Sequence, residues 1–292
     1  MKTGLRVVAL FAVYGSIGFG GDYAVGLLAR NASDDRVHVR HAPEAVVVDV
    51  KAYVVVDVKQ AIVTRVHIRH GGDCTFEMDR ELTIRADDVN LLKIDAGAGA
   101  LHVEGREGLE EIIVIGMVCA SDEGYLEALQ LTMERSPSGD VTLVTHYPRQ
   151  RTRNGRNNTA RIDLTVFMPL GLNVDIEDSS GDMRVSGTGD LTIDDSSGSI
   201  HVSEVHGSLR LDDSSAGIVI QVVSGDVNVE DGSGSIEIRN IEGNVLVRDG
   251  SGGIEVHNVG GDFVVERDGS GGISHSGVEG QVEIPVRRRR GG

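Results

Sequence analysis

A glycine recurs every 18 residues through the C-terminal half of this chain. Gly189, Gly207, Gly225, Gly243 and Gly261 keep that interval, and Gly280 follows after one extra residue. An aspartate series runs in step with it: Asp178, Asp195, Asp213, Asp231, Asp249 and Asp268. Each of these residues opens a small turn, as in Asp195-Ser-Ser-Gly198 and Asp231-Gly-Ser-Gly234, with Asp213-Ser-Ser-Ala216 the one variant. Apolar residues hold the same register, at offsets two, four, eleven, thirteen and sixteen from each Gly. In the unit beginning at Gly225 they are Val227, Val229, Ile236, Ile238 and Ile241. Apolar residues spaced by two mark a strand with one buried face. Each unit therefore predicts two short strands, with the listed side chains inside and the polar ones outside. One unit cannot bury its own apolar face, but stacked units can. The fold expected is all-β: a parallel β-solenoid with about 18 residues and two short strands per rung.

Two other solenoids of similar coil length are excluded by spacing. A left-handed hexapeptide helix needs an apolar residue every six, and in the rung from Gly189 those positions are Ile193, Ser199 and Val205, so Ser199 breaks the rule. Calcium-binding nonapeptide rolls place Gly-Gly-x-Gly-x-Asp twice per turn, whereas here the Asp precedes the Gly. Composition agrees with a thin stacked core. There is no Trp, aromatics are 3%, and the 39 glycines are accounted for by turns.

The pattern reappears upstream, where Leu92, Ile94, Leu101 and Val103 take offsets two, four, eleven and thirteen from Asn90. The chain divides accordingly. Residues 1–21 read as a secretory signal, with basic Lys2 and Arg6, an apolar run from Val7 to Phe19, and small residues after it; a buried N-terminal strand is the alternative. The apolar run is short for a membrane span, so no span is expected after cleavage. Residues 22–84 form a strand-rich or linker segment, in which Val46-Val-Val-Asp-Val-Lys51 recurs as Val54-Val-Val-Asp-Val-Lys59 and the two copies pair as a hairpin or serve as a linker. Residues 85–170 hold a degenerate first rung, a strand over Ile112–Val118, a short helix over Glu123–Gln130 and a hairpin around Pro137-Ser-Gly-Asp140, followed by a polar loop over Gln150–Thr159. Regular rungs fill 171–286, and 287–292 is a tail containing Arg287 to Arg290. That basic run either binds an anionic partner or is a solvated tail that blocks end-to-end stacking of the last rung.

The Asp-Ser-Ser-Gly and Asp-Gly-Ser-Gly turns, the Gly189-Asp190 and Gly225-Asp226 starts and the Phe167-Met-Pro-Leu-Gly171 lead-in resemble those of a bacterial β-strand-repeat family known as "putative adhesins". The resemblance covers roughly residues 85–286. It implies the solenoid fold and brings no catalytic residue with it, since adhesion is a label the family carries.

Candidate chemistry centres on the aspartate column. Stacking would set like charges about 4.8 Å apart, a repulsion of about 1 kcal/mol per pair in water. Either each carboxylate caps its turn by accepting backbone N–H groups, or the column Asp178, Asp195, Asp213, Asp231, Asp249, Asp268 holds cations such as Ca2+. The adjacent acids Asp194, Asp212 and Glu230 are interrupted by Arg248, which favours turn caps. No other cofactor is indicated. The pairs His38/His41 and His67/His70 lie at a strand spacing that points side chains to opposite faces. His201, His206 and His257 occupy solvent-facing or turn positions, and His275 takes a core offset in the last rung. Cys74 and Cys119 are the only cysteines; in an exported chain they pair as a disulfide, the alternative being two thiols. A net charge of −17 makes the chain a poor ligand for nucleic acid. Three functions remain: a non-catalytic, exported structural or adhesin-like protein of the periplasm or cell surface that binds a protein or glycan; a carbohydrate-active enzyme; and an envelope signalling or stress accessory. A singular acidic cleft would favour the enzyme, and a repetitive face would favour binding.

Overall fold

The computed structural model describes residues 76–121, 123–148 and 160–285, with the backbone of four strands nearer the N-terminus. Those four are β1 (Val13–Gly15), β2 (Tyr23–Val25), β3 (Val50–Asp57) and β4 (Gln60–Val66). β1 pairs antiparallel with β2, and β3 with β4. Of the Val-Val-Val-Asp-Val-Lys duplication, Val46–Asp49 of the first copy lie outside the described residues. Its second copy lies largely in β3, whose partner is the Gln60–Val66 segment.

The first rung consists of β6 (Leu91–Asp95) and β7 (Leu101–Arg106), preceded by β5 (Phe76–Arg85). The chain then leaves the coil through β8 (Glu111–Ala120), the helix α1 (Glu123–Ala128), β9 (Gln130–Arg135), β10 (Val141–His146) and β11 (Ala160–Pro169). It resumes with β12 (Asn173–Asp178) and β13 (Met183–Thr188), stacked directly on β6 and β7. Four rungs follow at 18-residue intervals: β14 (Leu191–Asp195) with β15 (Gly198–Val205), β16 (Leu209–Asp213) with β17 (Ala216–Val223), β18 (Val227–Asp231) with β19 (Gly234–Ile241), and β20 (Val245–Asp249) with β21 (Gly252–Val259). β22 (Phe263–Asp268), β23 (Ile273–Val278) and the short β24 (Val282–Glu283) end the stack.

Every rung contributes one strand to each of two sheets, and every rung-to-rung pairing is parallel. This is the β-solenoid that the periodicity predicts. Its core is the file of inward side chains at the five repeating offsets, such as Leu209, Leu211, Ile218, Ile220 and Val223, all at most 2% exposed. The excursion between β7 and β12 caps the N-terminal end. β10 lies parallel on β6 and β11 parallel on β7, so these two later strands act as an extra rung beneath the first. β9 and β8 then flank them antiparallel, and β5 and β4 extend the second sheet. At the other end the core closes on buried Phe263, against which the exposed His275 ring packs at 5.9 Å. A polar residue at a core offset thus covers the last apolar layer.

Stacking also explains the glycine series. At one turn, each rung's N–H donates to a side-chain oxygen of the rung before. Asp190 donates to Asn173 Oδ1 (2.8 Å), Ser208 to Asp190 Oδ1 (2.9 Å), Asp226 to Ser208 Oγ (3.2 Å), Asn244 to Asp226 Oδ1 (2.8 Å) and Asp262 to Asn244 Oδ1 (2.8 Å). The glycine beside each donor sits over that oxygen. A Cβ at Gly225 would lie 2.5 Å from Ser208 Oγ and 2.6 Å from the Gly207 carbonyl. Replacing Gly225 with Ala is expected to cost about 1–3 kcal/mol by overpacking, read as a lower midpoint in urea unfolding. A second column is strained. Glu204, Val222, Asn240 and Asn258 all have φ near +55° to +58°, a region that a β-branched residue such as Val avoids. Asn258 Nδ2 donates to Asn240 Oδ1 at 2.9 Å, so Asn suits the column. V222N is expected to raise stability by about 1 kcal/mol, measured by the same unfolding.

Candidate functional site: an interior aspartate row

The six aspartates stand opposite one another in register, strand to strand, from Asp178 in β12 to Asp268 in β22. Five of them lie on the inside, and Asp268, in the last rung, is half-buried. Leu191 and Ile193 point into the core, and Asp195, two residues further, shares their face; Leu209, Leu211 and Asp213 repeat this. Asp195 and Asp213 are 2% and 3% exposed, and Asp231 and Asp249 are 0%. The reading that polar residues lie outside is corrected here. The spacing of two from Ile193 to Asp195 is the signal that identifies the inward face.

Part of the row caps turns. The Ser179 N–H donates to Asp178 Oδ1 (2.8 Å), Ser233 N–H to Asp231 Oδ1 (3.0 Å) and Ser251 N–H to Asp249 Oδ1 (3.1 Å). The other oxygen of each of these three carboxylates is buried without a hydrogen-bond partner. At Asp195 and Asp213 neither oxygen has one. Ser196 and Ser197 N–H groups near Asp195 hold its pKa down somewhat, without reaching good hydrogen-bond geometry. Burial dominates. It pushes Asp178, Asp195 and Asp213 up to about 6, with the next carboxylate in the row adding to the rise in each case. Burial likewise raises Asp231, helped by Asp249, and Asp249, helped by Asp268.

A second acidic row runs alongside on the outer face. Asp95, Glu177, Asp194, Asp212 and Glu230 are in register on successive strands, and Arg248 follows them. Burial, then Glu230 and Asp194, raise the Asp212 pKa. Arg248 itself pairs with Glu266 at 2.6 Å. The outer face of the other sheet is mixed. Its column reads His102, Arg184, His201, Val219, Glu237, Glu255, Ser274, with Glu237 paired to Arg239 (2.8 Å) and Glu255 to His257 (2.7 Å).

The remaining candidates do not join this row. His201, His206 and His275 are exposed and His257 is half-buried on the outer face. Among the described residues, no three His, Cys, Asp or Glu side chains converge on a point that could hold a metal ion. The pairs His38/His41 and His67/His70 lie outside the described residues, as do most of the signal segment, the 150–159 loop and the Arg287 to Arg290 run. Cys119 is fully buried and disulfide-bonded, while Cys74 lies outside the described residues. An open groove between the first rung and the β11–β12 turn is lined by Ala86, Val89, Asn90, Leu170, Leu172 and neighbouring residues, none of them titratable. No helix among the described residues is long and apolar enough to cross a membrane.

No protein-family model and no curated protein matches this chain. Solved structures similar to it include a "putative cell adhesion protein" from Clostridium sporogenes, 12% identical over 71% of this chain and 98% of that one, with a TM-score of 0.34. A "putative adhesin" from Bacteroides fragilis is 12% identical over 71% and 96%, with a TM-score of 0.28. One from Parabacteroides distasonis is 11% identical over 70% and 97%, with a TM-score of 0.26.

The row sets an unusual pH dependence. Carboxyls whose pKa is raised in the folded state bind more protons there than in the unfolded chain, so their contribution is full below the unfolded value of 3.8 and is lost as pH rises through about 6. Carboxylates with lowered values, such as Asp87 and Glu255, act oppositely and only at lower pH. In the presence of chelator, the thermal midpoint is expected to be higher at pH 5 than at pH 7.5. A midpoint that falls on acidification across that interval would show the row does not carry this linkage.

Proposed function

We propose that this chain is a non-catalytic interaction scaffold of the cell envelope, a rigid solenoid that presents a polar face to a protein or glycan outside the cytoplasm. The observation that carries this reading is repetition. The acids of the outer row recur in register from Asp95 through Glu177, Asp194 and Asp212 to Glu230, on strands that repeat rung by rung along the stack. A catalytic pair has to be singular, because one general acid and one base must be placed apart from all others around one bond. Repetition instead suits a ligand that is extended or itself repetitive, met by many weak contacts on a surface with little conformational freedom to lose. Export is supported by the charge-free apolar run behind Lys2 and Arg6.

The test has two parts. Expressed in a bacterium with its own N-terminus, the chain is expected in the periplasmic or surface fraction. Incubated with a panel of bacterial and host polysaccharides, and presented to a glycan array, it is expected to retain ligand without releasing reducing ends or unsaturated products. Accumulation in the cytoplasm, or breakdown of any polysaccharide, would overturn the proposal.

A further inference from the structure

The solenoid contains two turn ladders that do the same hydrogen-bonding work with different residues. In the glycine-turn ladder the acceptor is Asn173, Asp190, Ser208, Asp226, Asn244 and Asp262 in turn. Any short side chain with an oxygen serves there. In the interior row the residue is Asp in all six rungs, although Asn would cap the same turns equally well. What Asp supplies and Asn does not is a negative charge. That charge is the feature least compatible with burial. A buried carboxylate oxygen without a partner costs several kcal/mol, and Asp178, Asp195, Asp213, Asp231 and Asp249 each carry at least one. Asp195 and Asp213 show the problem most plainly: they are only 2% and 3% exposed, and none of their four oxygens accepts a hydrogen bond of good geometry.

We infer that the interior aspartate row is a linear binding site for calcium-sized divalent cations, each held between carboxylates of successive rungs. Strands about 4.8 Å apart set successive carboxylates side by side, and Asp213 already reaches Asp231, so one ion can take an oxygen from each, and the flexible shell of about six to eight ligands that calcium accepts suits such a bridge better than the strict octahedron of magnesium. The row offers pairs of carboxylates rather than a converging group of three, so each ion completes its shell with water. Calcium, with its flexible coordination, tolerates that better than magnesium. Ser214 and Ser215, the turn residues beside Asp213, are exposed, so the turn is the side on which solvent lies nearest the row. The outer row of Asp194, Asp212 and Glu230, one residue away along each strand, deepens the negative potential along this edge. The charged or titratable groups outside the row that act on it are Tyr147 near Asp178, Asp194 near Asp195 and Arg267 near Asp249. The neutral alternative is proton sharing. Asp213 and Asp231 are close enough to share a proton, and that state is favoured at pH below about 6. At pH 7.5 the row needs another counter-charge.

The experiment uses the full chain, stripped with chelator and held at pH 7.5 in high KCl so that general screening is constant. Equilibrium dialysis with radiolabelled calcium is expected to show more than one ion bound per chain. Millimolar calcium is expected to raise the thermal midpoint by at least about 3 °C, and magnesium at the same concentration by less than half as much. D213N and D231N keep a turn-capping oxygen. They are expected to lose most of the bound calcium and of the calcium-induced shift, and to melt higher than the unsubstituted chain in chelator because an unpaired buried charge is gone. D212N, on the outer row, is expected to keep both. The inference is overturned if the unsubstituted chain binds no calcium, if magnesium matches calcium, or if D213N and D231N bind as the unsubstituted chain does. A row that takes up no calcium and is stabilised only by acid would be neutralised by protons instead.

Discussion

Everything in this structure follows from stacking identical positions about 4.8 Å apart. In a solenoid, the neighbour of a residue is its own equivalent in the next rung. Apolar residues gain from that arrangement, because Ile218 meets Ile236 and Ile236 meets Ile254 in a continuous file that excludes water. Amides gain too, as the Asn240–Asn258 bond shows. Carboxylates lose, since each faces another of the same sign. Whatever a rung position does well or badly, the stack repeats it.

The ends of the stack need separate handling, because exposed strand edges invite further pairing. At the N-terminal side the excursion through β8, α1 and the β9–β10 hairpin returns two strands beneath the first rung. The coil is thereby closed by a segment that follows the first rung in sequence and precedes it in space. At the C-terminal side the fully buried apolar file ends at Phe263 and Val265, and His275, at the core offset between the outward Ser274 and Ser276, packs over Phe263. The two caps differ because the first seals a wide mixed sheet while the second only ends a narrow core.

The aspartate row and the faces divide the functional question. The outer faces are polar and solvated, and one of them carries an acidic row in register over five strands, which suits recognition of an extended partner. The row is interior and charged, and its interest lies in how the stack tolerates it. The inner row and the outer Asp194–Asp212–Glu230 row run side by side along one edge of the solenoid, beside the Asp/Ser/Gly turns rather than on the flat of either sheet.

The sequence by itself determined the rung. Glycine spacing, Asp/Ser/Gly turns and apolar offsets repeat with the period of the coil, and local pattern is enough because each strand pairs with its own copy. It also determined the first rung at Leu92 to Val103 and the Pro137 hairpin. Three matters were left to the tertiary structure. Pairing of Val54–Asp57 with the Gln60–Val66 segment was one, since a repeated segment carries no information on which partner it takes. The position of β10 and β11 beneath β6 and β7 was another, since no local pattern reports that a later strand lies before an earlier one. The last was the inward aim of the aspartates. Asp195 follows Ile193 at the strand period, yet charge argues for the surface, and only the folded stack decides between them: the turn comes immediately after the aspartate, so the pleat still holds there and carries the carboxylate inside.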